Sequence, residues 1–450
     1  MRELRVAVVG SGPAAFYSAQ PLLAAGAAVD MIERLPTPWG LVRLGVAPDH
    51  PEIKAVSRVF EKIAKSPGFR FFGNVDVGRE VSPEELASLY DAVIYAVGAQ
   101  TDRRMDIPGE DLLGSWAATE FVAWYNGHPD YQEHEFDLSG ERAIVVGNGN
   151  VAVDVARMLS LTREELDPTD TTNAAVEAIV GSGLKEIVML GRRGPAQAAF
   201  TNPELKELGE LAGADVVVDP ADLELDPASA AALEDARGTA RRNVDLLREY
   251  AARVPEGKPR RLVLRFLTSP VAILGDGKVE AVEVVRNTLV ADERGNVRAV
   301  PTEQRETIPC GLVLRSVGYR GVALPGVPFD EGRGVIPNAE GRVLGPDGEP
   351  VPGLYCAGWI KRGPSGVIGT NKKDANETAG HVLEDAEAGK LPRGEGDLEE
   401  VLRDRGLPFV EYAGWEAIDE HERSLGEPHG KPRVKLCTWD ELLGRASALR

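Results

Sequence analysis

Two strand–glycine turn–helix–strand units, headed by Gly10 and Gly147 about 137 positions apart, predict an α/β fold with two Rossmann-like dinucleotide-binding domains. A third glycine-rich turn, Gly358–Gly369, again joins a buried strand to a helix. Serving one site with the first turn, over 340 positions away, requires the first domain to be discontinuous. The expected division is residues 1–105 with 331–450 in the first domain and 106–330 in the second.

The elements follow in order. Arg5–Val9 is a short β-branched run, as in a buried parallel strand. The stretch from Phe16 to Ala25 is rich in Ala and Leu and reads as a helix, Gly26 ends it, and Ala28–Ile32 is the returning strand. Glu52–Lys65 has the pattern of one amphipathic helix, and Asp91–Val97 that of another buried strand. Ala143–Val146 opens the second unit, with a helix to about Leu161, a polar insertion from Thr162 to Gly183 and a returning strand at Ile187–Leu190. Arg261–Phe266, Val279–Arg286 and Val297–Pro301 alternate like antiparallel strands. Leu312–Val317 and Leu354–Ala357 are buried strands, Gly332–Gly348 a hinge or hairpin, and Thr370–Ala388 a helix. Two more helices are expected near Leu398–Arg405 and Asp440–Ala448.

The 450 residues carry 51 Lys and Arg against 71 Asp and Glu, a net charge of −20. That field opposes any general affinity for nucleic acid, and an acidic partner needs a local basic patch. Cys310, Cys356 and Cys437 show no close spacing, so no iron–sulfur cluster, structural zinc or redox dithiol is expected. Reduced thiols point to the cytoplasm. No apolar run reaches the ~18 residues of a membrane span, and the N-terminus enters its glycine turn at once, leaving no room for a targeting segment.

Three motifs carry chemistry. In Gly10-Ser-Gly12-Pro-Ala14-Ala15, the first glycine makes the tight turn and the second admits a pyrophosphate to the backbone; the small Ala15 lets the helix pack closely. Glu33 ends the next strand, where a carboxylate accepts ribose hydroxyl protons. In Gly147-Asn148-Gly149-Asn150-Val151-Ala152 the returning strand ends instead in Arg192-Arg193. Two guanidiniums in place of an acid suit a 2′-phosphate, which points to NADP rather than NAD. The third motif, Ala357 to Asn371, offers free N–H groups at Gly366–Gly369 to a flavin ring edge, with Trp359 as a lid.

Together these stretches resemble the ferredoxin–NADP reductases of the adrenodoxin reductase type. The likeness runs from Arg5 to about Leu436 and is most specific in GSGPAAFYSAQ, GLVRLGVAPDH, GNGNVAVDVAR, GRRGP and AGWIKRGPSGVIGTN. It implies that the discontinuous domain binds FAD and the inserted one NADP. Ala14, Glu33, Leu41, Val77, Trp359, Gly366, Val367 and Ile368 would contact FAD. Asn148 to Val151, Arg192, Arg193 and Glu204 would contact NADP, with Gly366 facing both. The resemblance further implies a monomeric bacterial enzyme. It would pass a hydride from NADPH to FAD and then single electrons to a ferredoxin, an acidic iron–sulfur protein.

Other readings are an NADPH diaphorase reducing quinones or small oxidants, an electron-input module of a larger iron–sulfur enzyme, and a non-catalytic FAD/NADP sensor. His50, in the APDHP loop, is the one candidate proton relay; a loop-capping role is the plainer reading. The other histidines show no ligand spacing, so no metal is expected. Candidate docking cations are Lys206, Arg237, Arg241, Arg242, Arg248, Arg260 and Arg261, and, near the third motif, Lys361, Arg362, Lys372 and Lys373.

Overall fold

β-Branched and apolar runs that are buried on both faces must pair on both edges, and the chain builds two parallel sheets from them. A computed structural model describes residues 3–235, 238–292, 297–366 and 368–447. They divide into two compact units. The first comprises residues up to Thr101, Asn126–Gln132 and the chain from Gly318; the second comprises Asp102–Tyr125 and Glu133–Val317. The junctions thus fall at 101/102 and 317/318, and a seven-residue excursion, Asn126–Gln132, returns to the first unit from the middle of the second.

In the first unit, Arg5–Val9 lies between Ala28–Glu33 and Ala92–Tyr95, all parallel. Phe69–Gly73 extends one side, and Pro350–Cys356 joins the other, also parallel. A small antiparallel hairpin, Asn338–Ala339 with Arg342–Leu344, completes the sheet. Helices Pro13–Ala24 and Ile368–Glu387 cover one face over Val8, Met31 and Ile94. Ile32, Phe72, Val93 and Ile336 form the opposite core. Each such fully buried side chain contributes roughly 1.5–3 kcal/mol.

In the second unit the order is Ser115–Ala117, Leu312–Arg315, Arg142–Val146, Glu186–Leu190, Arg260–Arg265 and Ala214–Val218. All pairs are parallel. A separate antiparallel sheet follows, made of Thr268–Leu274, Ala281–Ala291 and Val297–Pro309.

Two expectations need correction. Arg260–Arg265 is not an antiparallel strand: it sits in the parallel sheet between Glu186–Leu190 and Ala214–Val218. Its alternation arises because Leu262 and Leu264 are buried while Arg261 is exposed and Val263 and Arg265 are only half covered. The expected helix Glu52–Lys65 is two pieces, Pro51–Lys54 and Ser57–Ala64, separated by a turn at Ala55–Val56. Among elements without a sequence signal of their own, helix Tyr412–Gly426 packs Trp415 and Ile418 into the first core.

Candidate functional sites, one in each unit

In an open parallel sheet, ligands bind where neighbouring strands send their connections to opposite sides. In the first unit that point lies between Arg5–Val9 and Ala92–Tyr95. Gly10, at φ +101°, turns the chain there; a Cβ on it would come within 2.6 Å of the Ala96 carbonyl oxygen. Gly12 precedes helix Pro13–Ala24, whose N-terminus receives no side-chain cap. Its first N–H groups and positive dipole end are therefore free for an anion.

Glu33 faces this turn. Its carboxylate accepts a hydrogen bond from the Ser11 hydroxyl at 2.6 Å and another from the Leu35 amide at 3.0 Å. Burial raises the Glu33 carboxyl above its ordinary range, opposed by those two hydrogen bonds and by Arg34. The 39–41 loop closes over the same turn. The Trp39 amide donates to the Ser11 carbonyl, and a Cβ on Gly40 would lie 2.9 Å from the Gly12 Cα. Leu41 opens the short helix Leu41–Leu44 and is 39% exposed. Val77 is buried two residues beyond Val75, whose amide donates to the Glu33 carbonyl.

The third motif joins the first. Gly358 abuts Ala14, since a Cβ on Gly358 would lie 2.6 Å from the Ala14 Cβ. The Asp374 carboxylate, on helix Ile368–Glu387, accepts from the Gly358 amide at 2.5 Å. Trp359 packs against Tyr319 at 5.2 Å, and its buried indole N–H has no acceptor among the described residues. Gly366 has φ +82°, and Ile368 begins the helix. Val367 lies outside the described residues. Thus Gly10, Gly12, Ala14, Glu33, Leu41 and Trp359 gather around one turn, with Ala15 fully buried beneath. His50 is buried too. Its amide donates to the Ala47 carbonyl, and it heads helix Pro51–Lys54 without capping it by its side chain.

The second unit repeats the design between Arg142–Val146 and Leu312–Arg315. Gly147 has φ +141°, and a Cβ on it would meet the Ser316 carbonyl oxygen at 2.2 Å. Gly149 precedes helix Asn150–Met158, again without a side-chain cap. The Asn148 carbonyl accepts from the Ala199 and Phe200 amides, and the Asn150 side chain accepts from the Thr201 amide at 2.8 Å. These bonds tie the turn to the start of helix Asn202–Leu208, which carries the buried Glu204. Val151 is half covered and Ala152 fully buried. Arg192 and Arg193 end the Glu186–Leu190 edge of the site, the first exposed and the second half-exposed. Neither guanidinium pairs with a carboxylate among the described residues.

These residues fit dinucleotides. The first glycine of each turn is demanded by the protein, because a Cβ there strikes a backbone carbonyl. The second is not: a Cβ built on Gly12 or Gly149 meets nothing within 4 Å. Both second glycines also have φ near −80° to −100°, open to any residue. Their smallness leaves backbone N–H groups approachable, as a pyrophosphate requires. The polar groups agree: an accepting carboxylate at the first strand end, two guanidiniums without a carboxylate partner among the described residues at the second, and an orphaned indole N–H beside the third motif.

Sequence reasoning overestimated the available cations. Lys361 is buried, bonded to Asp374 at 3.1 Å and Glu377 at 2.6 Å. Arg260 donates to the carbonyls of Leu159 and Ile179. Lys372, Lys373, Arg241 and Arg242 are exposed, and Arg237 lies outside the described residues. Sequence reasoning does not single out Gly40, the first residue of the GLVRLGVAPDH stretch, as a site residue; its sequence signal is the Trp39-Gly40 pair, and it has φ +50° and lies against Gly12.

A flavin- and nicotinamide-type double nucleotide fold of this kind defines a class, the pyridine nucleotide-disulphide oxidoreductases, whose family model matches residues 4–180. Within it, the chain is 52% identical to NADPH-ferredoxin reductase FprA of Mycobacterium tuberculosis over 98% of this chain and 99% of that one. It is 44% identical to the mitochondrial NADPH:adrenodoxin oxidoreductase of Homo sapiens, over 98% and 91% respectively. The solved structure of M. tuberculosis FprA in complex with NADPH superposes with a TM-score of 0.94 at 51% identity, covering 99% of this chain and all of that one. The chain belongs to this family of NADPH-ferredoxin and NADPH:adrenodoxin reductases.

Proposed function

We propose that the chain is an FAD-dependent NADPH–ferredoxin reductase, moving electrons from NADPH to a ferredoxin-type iron–sulfur protein. The observation that carries this is the contrast between the two turns. One ends its partner strand in Glu33, suited to the ribose of FAD; the other ends in Arg192-Arg193, suited to the 2′-phosphate of NADP. Bound FAD supplies the redox chemistry, since a flavin accepts a hydride and releases electrons singly.

The chain's residues bind and orient. The uncapped helix starts after Gly12 and Gly149 receive the pyrophosphates. Glu33 accepts from the FAD ribose, with Ser11 and Leu35 fixing its carboxylate. Ala14, Leu41, Val77, Trp359, Gly366 and Ile368 line the flavin side. Asn148 to Val151, Arg192, Arg193 and Glu204 hold NADP. Trp359 donates its free N–H and shields that side from water.

The partner is taken to be acidic, docking on exposed Lys372 and Lys373 against a chain of net charge −20. The enzyme acts as a monomer without nucleic acid, and a cytoplasmic location suits its three free thiols. Among the described residues no helix is long and apolar enough to cross a membrane. The test is cytochrome c reduction by the yellow, purified protein with NADPH, with and without ferredoxin. Ferredoxin-dependent reduction is expected. Equal rates without ferredoxin would favour a small-oxidant diaphorase, and a colourless protein would refute the flavin assignment.

A further inference from the structure

The Arg192-Arg193 turn does not hold itself. It is clasped by Leu267 and Thr268, at the entry to the antiparallel sheet that follows the nucleotide-binding fold, and by Asn287 within that sheet. As the chain leaves strand Arg260–Arg265 it passes through Leu267, at φ +55°, a left-handed conformation uncommon for a residue other than glycine. In that conformation the Leu267 amide donates to the Arg193 carbonyl at 3.0 Å, and the Leu267 carbonyl accepts from the Asn287 amide at 2.7 Å. The Asn287 side chain then reaches the same turn: its Nδ2 donates to the Arg192 carbonyl at 2.8 Å and contacts Ser269 Oγ at 2.8 Å. On the other side of the turn, the Gly191 amide donates to the Arg265 carbonyl and the Gly191 carbonyl accepts from Thr268. Three consecutive residues, Gly191 to Arg193, therefore have their carbonyls fixed from one short stretch and one asparagine.

Asn287 is 3% exposed, and its Oδ1 is buried without a hydrogen-bond partner among the described residues. A buried acceptor left unmet is costly, yet the amide cannot be turned over to relieve it: rotation would set Oδ1 against the Arg192 carbonyl, two acceptors face to face. All the hold of this side chain on the turn is thus in its NH2 group. Next to it, Arg286 pairs with Asp222, which also accepts from the Phe266 amide, so the strand carrying Asn287 is itself anchored to the loop carrying Leu267. The strand register also slips between Val285 and Asn287, which points Asn287 out of the ordinary ladder.

We propose that Asn287 is a positioning residue for NADP selectivity: by clamping the Arg192 carbonyl it aims the paired guanidiniums at a 2′-phosphate. This rests on the reading above that Arg192 and Arg193 bind that phosphate. A forked, charge-assisted contact gains its strength from geometry, and a turn free to rotate loses it while keeping both charges. Asn287 acts through the turn and touches no nucleotide in this scheme.

The test is equilibrium calorimetry on the flavin-loaded protein with two probes, 2′,5′-ADP and 5′-AMP, which differ in the 2′-phosphate. Asn287→Ala and Asn287→Asp, which both remove the donor, should weaken 2′,5′-ADP about tenfold, the scale of one buried hydrogen bond, and leave 5′-AMP unchanged. Steady-state kinetics should show a raised KM for NADPH, an unchanged KM for NADH and an unchanged kcat. Leu267→Asn, which tolerates the left-handed conformation and keeps both backbone bonds, should retain wild-type selectivity. The 5′-AMP titration reports in each variant that the site is folded. Unaltered 2′,5′-ADP affinity in both Asn287 variants, alongside weakened binding in an Arg192→Ala/Arg193→Ala protein, overturns the clamp and leaves the phosphate reading standing. Equal weakening of both probes overturns it as well, by making Asn287 merely structural. If the double arginine variant itself binds 2′,5′-ADP normally, both readings fall.

Discussion

Arg43 and Glu422, 379 positions apart, meet in a bidentate ion pair sealed from solvent, with contacts of 2.8 and 2.5 Å. Arg43 belongs to the GLVRLGVAPDH loop beside the Gly10 turn, and Glu422 to helix Tyr412–Gly426. Their side chains are 4% and 0% exposed. Arg433 and the Leu436 amide fill the remaining acceptor positions of the carboxylate, and Trp415 lies under the guanidinium at 5.1 Å. Helix Tyr412–Gly426 thus braces the loop that closes over the Gly10 turn through one buried pair.

Breaking such a pair leaves an unmatched buried charge. Glu422→Gln should cost about 3–5 kcal/mol, read as a lower chemical-denaturation midpoint. Burial pushes the Glu422 carboxyl up, but Arg43 and Arg433 hold it below its ordinary value of 4.5. Its contribution is therefore complete above about pH 4.5 and is lost as pH falls through the lower folded-state value. Wild type should lose stability in that acid window, and Glu422→Gln should show a flatter profile there.

The glycines separate fold from binding. Gly149→Ala and Gly12→Ala place a methyl where no protein atom lies within 4 Å. Each should leave the thermal midpoint of the apoprotein unchanged while weakening NADPH or FAD respectively, measured by titration. Gly10→Ala should instead destabilise the apoprotein, because its Cβ would strike the Ala96 carbonyl at a φ of +101°.

Replacing Arg192 and Arg193 together with Ala should remove about 1.5–3 kcal/mol of binding per well-ordered charge-assisted bond. The loss should fall on KM for NADPH and spare NADH. An unchanged preference between the two nucleotides would place the selectivity elsewhere.

Much of this site was legible because its determinants are local. A strand, a glycine turn and a helix are contiguous, so Gly10, Gly12, Gly147 and Gly149 announce themselves. Whether a strand pairs parallel or antiparallel is decided by its neighbours. Arg260–Arg265 alternates because one of its faces is only partly covered, and alternation alone reads as antiparallel. Nothing in the vicinity of Lys361 reveals that Asp374 and Glu377, a turn and more along a later helix, neutralise it. Arg43–Glu422 and Arg192–Asn287 are contacts between distant segments and leave no periodic trace.

Partner docking follows from that revision. With Lys361 committed inside the protein, the exposed pair Lys372-Lys373 is the stronger candidate near the third motif. Reversing both to Glu should raise KM for ferredoxin and leave ferricyanide reduction intact. Salt should slow the ferredoxin reaction alone, since screening acts over about 8–10 Å at physiological ionic strength.

The excursion of Asn126–Gln132 sets an order on synthesis. A nascent chain exposes this segment early, when Arg34 and Lys54 are among its partners already made: Arg34 reaches Asp130 at 2.6 Å, and Lys54 reaches Asn126 at 3.3 Å. Its other anchors come last, Lys435 on Asn126 and Trp439 on Asp130. The second unit is complete once Val317 has left the ribosome, whereas the first still waits for the C-terminal helices. The second unit can therefore be folded while the first is still an open sheet, and the last dozen or so described residues act as the latch that closes it.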